Sequence, residues 1–258
     1  MHHEDQKALG FREPPEMLTT SCLSYMGRIM ELRNFVGFYF SFVKASSKIK
    51  SIFDEAPTIP KPETDEELQV VEYNFSVHRQ FVNEIMLSRA VETFDLYILN
   101  ILREIFQVKP EILKSSKKLD AATLIELRTP EEIIMFLAES QLNELGYEPL
   151  HDLCRWVKER TSLDVFKSDL IFDTAQIATE IRNLIAHNDC QANTVIAKRL
   201  GRKMSELEVS ETGKIIVSDE FVRKCCYTLD GVVFDFDEAV ASKFDVERHD
   251  RQESSYNR

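Results

Sequence analysis

Apolar residues along this chain recur three and four positions apart far more often than they alternate, so the elements they predict are helices. From Met17 to about Ile52 the run is dense in apolar and aromatic side chains, with Met26, Ile29, Met30, Arg33 and Val36 on one side of a helix. The aromatic run Phe35 to Phe42 fits a buried helix or an extended segment equally well. Three prolines in Ala56-Pro57-Thr58-Ile59-Pro60-Lys61-Pro62 forbid any helix from continuing. Thr64-Asp65-Glu66-Glu67 then opens a long helical pattern to about Val108, which Asn74-Phe75-Ser76 is expected to interrupt.

Thr129-Pro130-Glu131-Glu132 starts a further helix to about Leu145, with proline at its first position, and Gly146-Tyr147-Glu148-Pro149 ends it. Leu150 to Arg160 reads as a short amphipathic helix carrying His151 and Trp156. Gly213 to Val217 is the one credible strand, paired with Leu207-Glu208-Val209, and Ser218-Asp219-Glu220 caps a last helix, Phe221 to Phe244. The expected fold is an all-α helical bundle with a small β-hairpin near 207–217. We divide the chain into an N-terminal arm and apolar helical region (1–56), a Pro-rich linker (57–64), a helical domain (65–244) and a polar, disordered tail (245–258).

One helix stands apart, running from Asp173 to His187 and stopping at Asn188-Asp189. Ile177, Ile181, Leu184 and Ile185 form its apolar stripe, and the opposite arc holds Thr179, Glu180, Arg182, Asn183, Ala186 and His187. Arg182 and His187 therefore lie on the non-core side, about 140° apart, where neither is needed to complete the fold. Asn183 and His187, at i and i+4, share a face. Thr179 and Ala186 between them are small, which suits the approach of a second helix, such as the same helix of a second copy.

Arg182-Asn183-Leu184-Ile185-Ala186-His187 resembles the R-x4-H motif of the HEPN superfamily (higher eukaryotes and prokaryotes nucleotide-binding domains). The likeness extends from about Asp65 to Phe244 and includes Ser88 to Phe94, similar to an acid-containing first core helix. It implies a helical bundle, a homodimer with two facing motifs, and metal-independent ribonuclease activity without a cofactor, as in bacterial defence and toxin-like systems. RNA is then one partner, and an antitoxin or regulatory protein another. Glu92 and Glu180 are the acids expected to support the motif. Some HEPN toxins carry a tyrosine two residues after the histidine, where an antitoxin attaches nucleotides; this chain has Asp189, which argues against that mode of control.

Composition narrows the picture. A net charge of −12 argues against broad coating of nucleic acid, leaving a local basic site, for which Lys198-Arg199 and Arg202-Lys203 are the candidates. Their commoner role is a solvated helix end. No apolar run reaches the length of a membrane span, so no membrane association is expected. The 5 cysteines, an odd number without metal-ligand spacing, suit a reducing cytoplasm. No Gly-rich phosphate loop or metal-spaced His/Asp/Glu cluster appears, and Met1-His2-His3 is too short for a metal site.

Arginine and histidine suit metal-free cleavage of a phosphodiester. Imidazole as a class serves as base or acid near neutral pH, and a guanidinium opposes the charge that grows on the phosphorane. His187 is the candidate acid or base, Arg182 the phosphate clamp, and Asn183 an orienting group. One copy of the motif has no evident second acid–base group, which fits a shared site. The rival reading has His187 capping its helix and Arg182 paired with an acid on a neighbouring helix, in a non-catalytic interaction module that acts through its aromatic N-terminal helix.

Overall fold

In the computed structural model, residues 12–55, 65–114, 119, 120, 123 and 126–254 are described. The arm before Arg12 and the proline linker 57–64 lie outside them. Two long helices, α1 (Thr20–Glu55) and α2 (Asp65–Val108), pack side by side. They are antiparallel: Ser21 meets Glu104, and the Tyr25 and Tyr97 rings stand edge to face at 5.9 Å. The aromatic run of α1 is thus helical, and Asn74-Phe75-Ser76 does not interrupt α2.

α2 is the axle of the bundle. Leu87, Ala90, Val91, Phe94, Tyr97, Ile98, Ile101, Leu102, Ile105 and Phe106 are all buried, an arc too wide for one neighbour. It is shared among α1, α3 (Pro130–Leu145), α5 (Asp169–Asn188) and α7 (Asp219–Phe244). α4 (Leu150–Thr161) and α6 (Thr194–Leu200) complete the bundle beside short 3-10 turns. α7 runs parallel to α2, since Arg79 and Asn83 reach Asp219 while the Tyr97 hydroxyl donates to the Val233 carbonyl at 3.2 Å.

Local chemistry sets the helix ends. Thr129 and Glu132 form a reciprocal capping box at α3, and Ser218 caps α7. α1 is capped locally by Thr19, whose hydroxyl accepts from the Cys22 amide at 3.2 Å, and by tertiary contacts besides. Asp237 accepts from the Thr19 amide at 3.2 Å and from its hydroxyl at 2.5 Å, and Glu104 accepts from the Ser21 amide at 2.7 Å. The start of α1 is therefore tied to both α7 and α2, and Leu18, Cys22, Tyr25 and Ile29 belong to the same core as α2 and α7.

The hairpin lies at 207–217: Ile216 N–H donates to Glu208 O at 2.9 Å, and Val209 bridges Ile215. Gly213, at φ +82, supplies the left-handed turn residue. Ile215 and Val217 are buried, and Gln80 and Asn83 of α2 bond to their backbones. A second antiparallel pair joins β1 (Met17–Leu18) to β2 (His249–Asp250). The polar composition predicts a disordered tail over 245–258; as far as Ser254 it is built into the fold instead, with Val246 buried and one helical turn at Arg251–Ser254, and 255–258 lie outside the described residues. Among the described residues no helix is long and apolar enough to cross a membrane.

Candidate functional site

α5 carries the Arg182–His187 pair. It begins at Ser168, whose hydroxyl accepts from the Ile171 amide, one turn earlier than the spacing around Asp173 predicts. Ile177, Ile181 and Leu184 are buried as expected and fix the helix rotation. The helix stops in two left-handed residues, Asp189 at φ 47 and Cys190 at φ 59, and the Cys190 amide returns to the Leu184 carbonyl at 3.2 Å. Asp189 in turn accepts from Lys214 Nζ at 2.5 Å, so the end that presents His187 is anchored on both sides.

A groove of about 650 Å³ opens along the polar face of α5. Arg182, Asn183, His187 and Glu180 line it from that helix, Arg199 from α6, Asp95 and Leu99 from α2, and residues 145–151 with Leu153 from the end of α3 and the start of α4. The sequence spacing thus brings Arg182, Asn183 and His187 into one concavity.

Arg182 is less free than its place opposite the stripe suggests. Its Nη2 donates to Asp95 Oδ2 at 2.7 Å, and its side chain is only 26% exposed. This is the pairing with an acid on a neighbouring helix that the rival reading anticipates, and it corrects the expectation that Arg182 plays no part in the fold. The Nε is buried without a partner. A guanidinium has five N–H donors, so one bond to Asp95 leaves capacity for a ligand. Burial pushes the Asp95 carboxyl above its ordinary value, against the pull of Arg182. His187 is exposed and has no hydrogen-bond partner among the described residues.

The supporting acids differ from those expected. Glu92 pairs with Arg89 one turn away at 2.6 Å and does not line the groove; Asp95, three residues on, is the acid that reaches Arg182. Asp95 borders the buried Val91, Phe94 and Ile98, so an acid at the edge of an apolar stripe was the available signal. Glu180 does line the groove and accepts from Arg199 Nη1 at 3.1 Å.

The basic cluster is divided. Lys203 pairs with Asp173 and Gln176, each at 2.5 Å, and lies over the Phe172 ring; Lys198 and Arg202 are exposed outside the groove. Only Arg199 of the four lines it. Three carboxylates (Asp95, Glu148, Glu180) against two guanidiniums (Arg182, Arg199) leave a formal −1 with neutral histidines.

His151, read as structural, also lines the groove. Its ring meets the Phe172 edge at a centroid distance of 6.4 Å. His151 thus enters the groove beside the first turn of α5, while His187 lies in its last turn, about 22 Å further along the helix axis. Thiol chemistry is disfavoured: burial pushes Cys154 up to about 12 and Cys190 up to about 11. Among the described residues no group of three or more His, Cys, Asp or Glu side chains is placed to hold a metal ion.

Comparison with protein-family models, curated proteins and solved structures finds no match to this chain. The chemistry rests on the groove.

Proposed function

We propose that the chain is a metal-independent endoribonuclease of HEPN type, acting at a site shared across a homodimer. The observation that carries this is the convergence of Arg182, Asn183 and His187 on one groove, with Arg182 held by Asp95 and His187 unpartnered. The RNA 2′-hydroxyl attacks the adjacent phosphorus and the bond to the 5′-oxygen breaks, giving a 2′,3′-cyclic phosphate and a 5′-hydroxyl end. One imidazole takes the 2′-proton and the other protonates the leaving oxygen, which asks for a His187 from each copy. The remaining N–H groups of Arg182 oppose the charge on the phosphorane, and Asn183 orients the phosphate or the imidazole. On this reading the protein works in the cytoplasm, in a bacterial defence or toxin-like system, under a regulatory protein or antitoxin.

Purified protein incubated with mixed RNA in EDTA should release cyclic-phosphate ends. His187→Ala should slow this by a factor of about 10² to 10⁴. A divalent-ion requirement, or unchanged cleavage by His187→Ala, would sink the mechanism.

A second reading, a non-catalytic interaction module, draws on α1, where Met30 and Phe35 are exposed, Phe35 by 61%. Paired Phe35→Ser and His187→Ala variants separate the two. Loss of a cellular effect with Phe35→Ser alone favours the module.

A further inference from the structure

The lining of the groove poses a problem for any polyanion. Its formal charge is −1 with neutral histidines, and both guanidiniums are already paired, Arg182 with Asp95 and Arg199 with Glu180. Phosphate contacts alone therefore offer little affinity. The turn between α3 and α4 supplies a different kind of contact. Tyr147 lines the groove yet is 86% exposed, the most exposed of the large apolar and aromatic side chains among the described residues. Its backbone is held: the Tyr147 amide donates to Glu144 O and the Glu148 amide to Leu145 O, both at 3.1 Å. Pro149 follows and restricts Glu148. His151, at i+4, presents a second flat ring to the same groove, steadied by its edge contact with Phe172.

We propose that Tyr147, with His151 beyond it, is a base-stacking platform, and that the groove takes unpaired, single-stranded RNA. The choice of RNA rests on the ribonuclease reading; the stacking rests on the rings. Every base offers a π-face, so such a platform is tolerant of sequence, and it excludes duplex, whose bases are already stacked. Binding carried by rings also loses little affinity as salt rises, unlike binding carried by many phosphate contacts.

The test uses a fluorescent 2′-O-methyl RNA single strand, which cannot be cleaved by 2′-attack, and anisotropy on the full chain. Wild type should bind the single strand better than the matched duplex, with a shallow salt slope. Tyr147→Ala should weaken binding about tenfold, Tyr147→Phe should retain it, and the fluorescence of Tyr147→Trp should fall on binding. An exposed turn residue is replaced at small cost to folding, so these variants remain comparable. If Tyr147→Ala binds as wild type does, or wild type ignores the single strand, the platform is wrong whether or not RNA is cut. If binding depends on Tyr147 but no RNA is cleaved in chelator, the platform stands and the ribonuclease reading falls.

Discussion

Arg182 ties α5 to α2 through Asp95, and on the proposed reading it also opposes a phosphate in the groove. Asp95 is the hinge between these two roles. With its side chain 34% exposed and that of Arg182 26%, the pair is partly screened by solvent, so breaking it costs less than the several kcal/mol of a fully buried pair. Arg182→Ala should lower stability by about 1–2 kcal/mol at neutral pH. The sign with pH follows from Asp95. Its folded-state pKa is already raised by burial, and removing Arg182 takes away the pull that holds it down. A raised carboxyl contributes stability at low pH that is lost as pH rises through the folded value. The Arg182→Ala deficit should therefore grow from acid toward neutral pH, and Arg182→Ala with Asp95→Ala should cost less than the two singles summed. Denaturation midpoints at acid and neutral pH check both. The Arg182–His187 spacing was legible because it lies within one helix; Asp95 was not, because its partner is 87 positions away.

Elements were most legible where the cap is local. Thr129-Pro130-Glu131-Glu132 states the start of α3 in four residues, and Thr129→Ala should cost about 1 kcal/mol through loss of the capping box. The start of α1 is only half local: the Thr19 hydroxyl accepts from the Cys22 amide, but no nearby pattern announces Asp237 and Glu104, the acceptors of the Thr19 and Ser21 amides. Nor does a two-residue strand such as His249–Asp250 carry any period to read. Asp237 is 1% exposed and accepts from Thr19; burial raises its pKa. Its contribution is complete below the ordinary carboxylate range and declines as pH rises through the raised value. Asp237→Asn should flatten that decline in thermal unfolding. Asp237→Ala should cost about 2–4 kcal/mol, by orphaning the Thr19 donors in a dry site. A change below 1 kcal/mol would show that water reaches that cap.

At the scale of the whole molecule, the groove exists only because α2, the α3–α4 turn, α5 and α6 meet, and no local pattern announces that meeting. Sequence reasoning reached one wall of it. The same geometry states what one chain lacks: His187 is at the C-terminal end of α5, while His151, the other imidazole in the groove, sits near its first turn. On the ribonuclease reading, acid and base for one phosphodiester are then asked of two copies, and Ala186, exposed beside His187, leaves room for a facing helix. That reading predicts a closed twofold dimer, which mass measurement in solution should find at micromolar concentration. Ala186→Arg should return it to monomers and abolish cleavage together. Mixing sharpens the test. With equal amounts of wild type and His187→Ala exchanged to equilibrium, dimers carrying two wild-type chains make up about one quarter of the total. If each bond needs both histidines, activity falls to about one quarter of that of the same total of wild type. If each chain works alone, it falls only to about one half, and the shared site is wrong.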